Sequence, residues 1–334
     1  MARRSRAATI ADVATHAGVS PATVSRVMNG RFVGDPAVAE RVRASAAELE
    51  YRPSHLARSL ALGQTSAVAF VVPDLANPAF QAVLSSLSKT AAHDGYRVLV
   101  ADSAESPSDE PLLAAEVRRR CDAIVLCAPR MTDAELAALA SDLQPLVLIN
   151  RVHEGVPAPS LSIDYQSGIV KLAQHLHELG HRRMVYLEGP ASSASNAHRV
   201  AGLEEFAGRT DGVRIDRIPA GAGAEDGRAA ASRVQDSGAT AVLAYNDLVA
   251  IGLIDGLQEL GVSVPDDISV TGFDDIPFAR YTSPSLTTAS VPHAELGVQA
   301  WRRMIALIRH DDPEHDVQFQ PRLELRRSTA PARA

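Results

Sequence analysis

Residues 9–30, TIADVATHAGVSPATVSRVMNG, constrain the fold more tightly than any other stretch of the chain. Ile10, Val13 and Ala14 recur at i, i+3 and i+4, the spacing of one buried helix face. Thr9 is placed to cap that helix, and Gly18 to end it in a left-handed conformation. Ser20 caps a second helix whose first position is Pro21, where the missing N–H costs nothing. With Val24, Val27 and Met28 turned inward, Pro21, Ala22, Thr23, Ser25 and Arg26 face outward. Small, polar and cationic side chains on an exposed helix start are what a DNA major groove admits. An ordinary helical hairpin has the same spacing, so charge has to separate the two readings.

The whole chain of 334 residues is acidic, net -7, which by itself argues against nucleic acid. Its charge is unevenly divided: residues 1–60 hold nine Arg against five acids, net +4, and the remainder 24 basic against 35 acidic residues, net -11. A small cationic module on a large acidic body fits a DNA reader whose body stays off the duplex. After Asn29 and Gly30, Asp35 and Pro36 open a third helix to about Glu50, with Val38, Val42 and Leu49 inward and Tyr51 covering the end. Pro53 breaks the pattern. SHLARSLALG follows, at most two turns of helix and too short to persist alone in water. It reads either as a plain linker or as a segment that folds against its own copy on DNA and wedges a leucine between base steps.

From Ser66 onward apolar strands alternate with helices. Strands are expected near 67–72, 96–101, 122–127, 145–150, 183–188, 240–245 and 267–273, and helices near 79–94, 109–120, 132–141, 166–179, 197–208, 225–237, 247–260 and 293–310. That order means parallel sheets covered on both faces, here in two lobes with a crossing near 151–162. Trp301, the only tryptophan, reads as packing. No segment approaches the roughly 20 apolar residues of a membrane helix, and the basic N-terminus has no apolar stretch behind it to make an export signal. Cys121 and Cys127, six apart on a strand, lie roughly 20 Å from each other, beyond disulfide reach. Reduced thiols in a cytoplasmic protein are expected.

Open parallel sheets bind ligands beyond the carboxyl ends of their strands. That rule selects Pro73, Asp74, Asn77 and Phe80, then Asp102 and Ser103, then Asn150 and Arg151. In the second lobe it selects Gly189, Ser192, Ser195 and Arg199, then Tyr245, Asn246 and Asp247, then Phe273, Asp274 and Asp275. Such a lining suits a neutral or weakly charged polyhydroxyl molecule, although any one member can instead be a helix cap. Signals for catalysis are weak: no GxSxG elbow, no P-loop and no nucleophile with a base. GAGAEDG (221–227) has the wrong spacing for a nucleotide fingerprint and reads as a turn. His175, His177 and His181 lack a further ligand that would make them a zinc site. No cofactor or metal is expected.

The head, the stretch YRPSHLARSL, and the segments GPASSASNAHRVAGL, LAYNDLVAIGLIDGLQELGVSVPDDISVTGFDD and SPSLTT together resemble the lactose-repressor (LacI/GalR) family of bacterial transcription regulators over nearly the whole chain. The resemblance implies an all-α helix-turn-helix head at 1–53, a hinge helix at 54–62, and an α/β core at 63–328. That core would be a two-lobed, periplasmic-binding-protein-like (type I) parallel-sheet fold. Its N-lobe would be about 63–160 plus 291–318, and its C-lobe about 161–290 plus 319–328. It also implies homodimers, in some members assembled further to tetramers. Base-reading positions then fall on Pro21, Ala22 and Arg26, with Thr9, Thr23, Ser25 and Asn29 near phosphates and Ser20 also at the DNA-binding surface. Hinge positions fall on Ser54, Ala57 and Arg58, and the wedge on Leu60. Effector positions fall on Asn77, Phe80, Arg151, Ser195, Arg199, Asn246 and Asp274.

Two departures stand out: Ala222 where an aromatic often stacks on the effector, and Val291 where glutamine is frequent. They imply a pocket wider and less polar on those walls, unlike one for a simple hexose. The expected function is a ligand-controlled transcription factor, most simply a repressor, that reads a near-palindromic double-stranded operator and answers to a carbohydrate-like effector. Within that class a ligand or phosphoprotein partner could instead promote DNA binding. A solute-binding protein for transport fits the core alone, and an enzyme on the same core lacks its motifs.

Overall fold

The computed structural model describes residues 8–28, 30–51 and 64–333. The chain forms two compact units, residues 1–65 and 66–334. Asn29, Ser54, Ala57, Arg58 and Leu60 fall outside the described residues.

The head has three helices, α1 (Ile10–Ala17), α2 (Pro21–Met28) and α3 (Pro36–Glu48). Thr9 caps α1 in a reciprocal box with Asp12, and Gly18 ends it at φ 64°, a conformation glycine adopts without steric cost. Ser20 Oγ accepts the Thr23 N–H at 3.1 Å, and Asp35 caps α3 through the Ala37 N–H. Val13, Ala14, Val24, Val27, Val42 and Ala46 form its core. Val38, expected inward, is only half-buried, and Ala39 takes the inner position.

The core begins with β1 (Ala67–Val72), α4 (Pro78–His93), β2 (Arg97–Asp102), α5 (Glu110–Arg118), β3 (Ala123–Cys127), α6 (Asp133–Leu139), β4 (Leu146–Ile149) and β5 (Ser160–Ile163). It continues with α7 (Tyr165–Glu178), β6 (Arg183–Glu188), α8 (Ala194–Arg209), β7 (Arg214–Pro219), α9 (Ala224–Ala229), α10 (Ala231–Ser237), β8 (Ala241–Ala244), α11 (Asp247–Glu259) and β9 (Ser269–Thr271). A 3-10 turn (Pro277–Arg280), β10 (Thr288–Ser290), α12 (His293–Arg309), β11 (Val317–Phe319) and β12 (Arg322–Glu324) complete it. A six-stranded sheet runs β11-β5-β4-β3-β1-β2 and a four-stranded one β7-β6-β8-β9, all neighbours parallel, while β10 and β12 form a two-stranded antiparallel sheet.

Strand β5 pairs with β4, so the chain leaves the first sheet at Asp164 rather than within 151–162. It returns to that lobe through α12 and β11, then leaves it again for β12. The expected 225–237 helix is two helices that meet at Ala230. Gly252 of α11 lies so close to α9 that a Cβ there would sit 1.8 Å from the Ala224 carbonyl oxygen. Trp301 is 1% exposed and donates to Asp94 Oδ2 at 2.7 Å, a packing role. Cys121 and Cys127 are buried free thiols, and burial pushes Cys127 up to about 12.

Candidate functional sites

Strand order reverses between β1 and β3 in the first sheet and between β6 and β8 in the second. Loops that follow such neighbours diverge to opposite faces and leave a crevice at the strand ends. One cavity lies at both reversals, walled by Asn77, Phe80, Glu105, Ala128, Arg130 and Asn150 from the first lobe. Tyr165, Ser195, Arg199, Ala222, Tyr245, Asn246, Asp274 and His293 complete the wall. Asn77, Phe80, Ser195, Arg199, Asn246 and Asp274 are thus brought together. Arg151 is not: its guanidinium is held by Asp133 Oδ1 at 2.8 Å and the Met131 carbonyl at 3.0 Å, and it lines a neighbouring crevice.

Arg199 is the centre of the second lobe's wall. Ser193 caps α8 through the Asn196 N–H, and Arg199, four residues past Ser195, projects from the same side one turn on. Its guanidinium lies 4.3 Å from the Tyr165 ring centre, 4.1 Å from Phe273 and 4.8 Å from Tyr245, a cage held by cation–π attraction. It is 2% exposed. Its Nη1 donates to the Ser195 carbonyl at 3.1 Å, while Nε is buried with no partner. Tyr245 is fixed by the Ser193 and Ser195 hydroxyls at 2.9 and 3.2 Å. Gly189 leaves space for that ring, since a Cβ there would fall 2.4 Å from it.

Asp274 follows β9 at φ 112°, a strained conformation for a residue with a side chain. Burial pushes its carboxyl up to about 7, against the pull of Arg199. His293 Nε2 lies 3.2 Å from the Asp274 carbonyl oxygen, and burial lowers that imidazole to about 4, so it is neutral at pH 7. Asn246 and Asn77 are the caps of α11 and α4. Asp247, which the strand-end rule also selects, is structural: it accepts from the Thr288 hydroxyl at 2.6 Å and the Ile276 N–H at 2.8 Å.

The first lobe contributes a buried ion pair that sequence reading misses. Arg130 is gripped by Glu105 through Nε at 2.5 Å and Nη2 at 2.9 Å, a two-pronged geometry that fixes the fork. Glu110, fully buried, accepts the Arg130 and Met131 N–H groups at 2.6 Å each and so sets the loop beyond β3. Arg130 lies three residues past that strand, within reach of the strand-end rule. Tyr165 and His293 stand at the starts of α7 and α12, just past lobe crossings, and no local pattern marks them. Asn150, at φ 57°, has a buried Oδ1 with no partner.

The expected widening is seen only in part. Ala222 faces the cavity, but Val291 is packed into the apolar core, and the inner cavity around Arg199 is about 30 Å3, room for one or two waters. His175 and His181 hydrogen-bond to Thr329, Thr240 and the Ala330 carbonyl, tying the C-terminal segment down. Asp226 folds back to the Ala222 and Gly223 N–H groups, so GAGAEDG is a helix entry.

In the head, Pro21, Ala22 and Arg26 are exposed and Thr23 and Ser25 half-exposed along one side of α2. Among the described residues the Arg26 side chain bonds only to the Ala22 carbonyl of its own helix, at 3.4 Å. Thr9 and Ser20 stand at the N-termini of α1 and α2.

A helix-turn-helix head followed by a two-lobed parallel-sheet core with a polar interlobe cavity defines a ligand-responsive DNA-binding regulator. The chain belongs to the lacI family of bacterial regulatory proteins. Residues 9–54 match that family's model, and residues 173–329 match a periplasmic binding protein-like domain. The chain is 33% identical over 329 residues to the HTH-type transcriptional regulator GalR of Escherichia coli K12, covering 97% of this chain and 96% of the relative. It is 28% identical over 319 residues to the transcriptional repressor CytR of the same strain, covering 94% and 92%. Its structure is similar to that of a lac repressor dimer bound to operator and the anti-inducer ONPF, with TM-score 0.86, 26% identity, and 97% and 100% of the two chains covered. A ribose-bound lacI-family regulator from Enterococcus faecium gives TM-score 0.71 at 26% identity, over 80% and 100%.

Proposed function

We propose that this regulator is a repressor whose interlobe cavity takes a carbohydrate-like effector and whose grip on a near-palindromic operator depends on that occupancy. The observation that carries the reading is the convergence of an unpartnered guanidinium nitrogen, an unpartnered amide oxygen and a buried carboxyl on one cavity. Groups left unsatisfied in a protein interior call for a partner, and hydroxyls that both donate and accept supply it. The cavity is closed too tightly for a sugar ring, so entry requires the lobes to part.

Base contacts are assigned to Pro21, Ala22 and Arg26, and phosphate contacts to Thr9, Ser20, Thr23, Ser25 and Asn29. Residues 54–62 serve as the hinge, with Ser54, Ala57 and Arg58 in it and Leu60 as its wedge. Two heads of a homodimer would then meet major grooves roughly 34 Å apart. Self-association is supported by exposed apolar side chains on both lobes: Leu99, Val100 and Leu112 on one, Phe278 and Tyr281, 56% and 83% exposed, on the other. Among the described residues no helix is long and apolar enough to cross a membrane, and a cytoplasmic protein is proposed. The relatives are regulators, and no enzymatic role is assigned.

The test is a titration of operator affinity against candidate sugars and nucleosides with protein held fixed. Weakened DNA binding identifies an inducer, strengthened binding a corepressor, and no effect of any cavity ligand overturns the reading.

A further inference from the structure

Asn150 and Tyr165 stand where the wall of the cavity around Arg199 meets a second space. Both residues also line a second, larger chamber of about 570 Å3. Asp133, Arg151 and Gln318 of the first lobe face it, with Gln166, Ser192 and His198 of the second. Val152, 59% exposed, adds an apolar face.

We infer that the effector is an oligosaccharide of at least two sugar units, with one ring in the cavity around Arg199 and the next in the chamber beyond Asn150. This rests on the reading of the interlobe cavity as the effector site. Three observations support it. The chamber, a half-open crevice of about 570 Å3 beside an inner cavity of about 30 Å3, has room for a further sugar ring. The buried, unpartnered Oδ1 of Asn150 belongs to a residue shared by both spaces, where a hydroxyl next to an interunit linkage would donate to it. The chamber draws its walls from both lobes, so a unit seated there bridges them.

The chemistry of the walls selects a neutral sugar. Arg151 is neutralised by Asp133 at 2.8 Å. The Asp164 carboxylate accepts the Ser167 N–H and the Gln320 side-chain amide, at 2.9 and 3.0 Å. The cation is thus paired and the Asp164 carboxylate stays negative, so the wall offers no free positive charge to a phosphate or a sugar acid and repels either. Tyr165, the one phenyl-type ring of the chamber wall among the described residues, is 7% exposed and its face is committed to Arg199, so it gives a nucleobase seated in the chamber no open face to stack on. Side-chain amides, hydroxyls and an imidazole remain, groups suited to paired hydroxyls.

Full-length protein is titrated calorimetrically with glucose, galactose and xylose and with their α- and β-linked disaccharides and trisaccharides, beside adenosine and cytidine. One disaccharide is expected to bind at least 10-fold more tightly than the sugar at its end. Ala197→Trp, at an exposed helical position lining the chamber, removes that advantage and leaves the monosaccharide affinity within twofold. Its melting temperature confirms that the variant folds. Arg199→Ala abolishes both modes. A monosaccharide that binds as tightly as every oligosaccharide containing it overturns the inference, as does a disaccharide advantage untouched by Ala197→Trp. A nucleoside that alone binds, and is lost in Arg199→Ala, overturns the oligosaccharide while the effector cavity stands. Saccharide binding indifferent to Arg199→Ala overturns the effector cavity itself, and no saccharide binding at all overturns the carbohydrate class.

Discussion

Arg26 and Arg199 carry the same guanidinium in opposite surroundings. Arg26 stands in water on α2, with one long bond to its own helix. Arg199 is sealed among three aromatic rings, its Nε without a partner. A charge that meets a duplex needs freedom to adjust to bases and phosphates, and the counterions that a duplex releases help drive the contact. A charge that meets a small neutral ligand has to be dry and fixed beforehand, because ordering it at the moment of binding would consume the little energy available. The head therefore spends little stability on its reading residues, and the cleft stores strain and unsatisfied groups in its own.

Substitutions can break this contrast. Arg199→Ala should have the largest effect: it empties the aromatic cage and leaves Asp274 without its countercharge. Effector affinity should fall at least 100-fold by calorimetry, and stability by about 3 kcal/mol in urea unfolding. Arg26→Ala should cost about 1–3 kcal/mol of operator affinity, relax selectivity at one base pair by mobility-shift competition, and leave stability within about 0.5 kcal/mol.

Asp274→Asn sharpens the contrast through pH. The folded carboxyl titrates near 7, above its ordinary value of 3.8, so between these values the folded state holds a proton that the unfolded chain has lost. That favours folding fully below about pH 4 and is lost as pH rises to 7. Arg199, His293 and Asp247 are its neighbours; burial keeps the His293 imidazole neutral over this range and raises the Asp247 carboxyl in the same direction as that of Asp274. Relative to wild type, the Asn variant should gain on the order of 2 kcal/mol between pH 5 and pH 8 by thermal unfolding. A difference independent of pH would mean that Asp274 is already charged at pH 5. Gly189→Ala should do least, displacing the Tyr245 ring and weakening effector binding about 3- to 10-fold with DNA contacts intact.

The head was legible because its determinants are local. Thr9, Gly18, Ser20 and Asp35 each act within a few residues of themselves, and the apolar spacing shows which sides of α1 and α2 turn inward. In the core, continuous apolar runs such as AVAFVV, AIVLC and LVLI were equally plain, but β5 (SLSI), β10 (TAS), β11 (VQF) and β12 (RLE) mix polar with apolar residues over three or four positions and carry no readable period. Strand β7, RIDRIP, lies at a sheet edge with half of its residues exposed. The strand-end rule reached Asn77, Ser195, Arg199, Asn246 and Asp274 because sheet topology places them. Glu105 and Arg130 depend on a pairing across 25 residues, and Tyr165 and His293 on where the chain changes lobe. Sequence spacing records neither.

The most direct test of coupling between the two regions is a selection of random duplexes by the full-length chain, followed by titration of the selected duplex with and without saturating effector. The account predicts enrichment of a near-palindrome with two half-sites, and a five- to 150-fold change in its affinity on adding effector, about 1–3 kcal/mol of coupling, that Arg199→Ala abolishes. A selected duplex bound equally well with and without every ligand that the cavity accepts would contradict it.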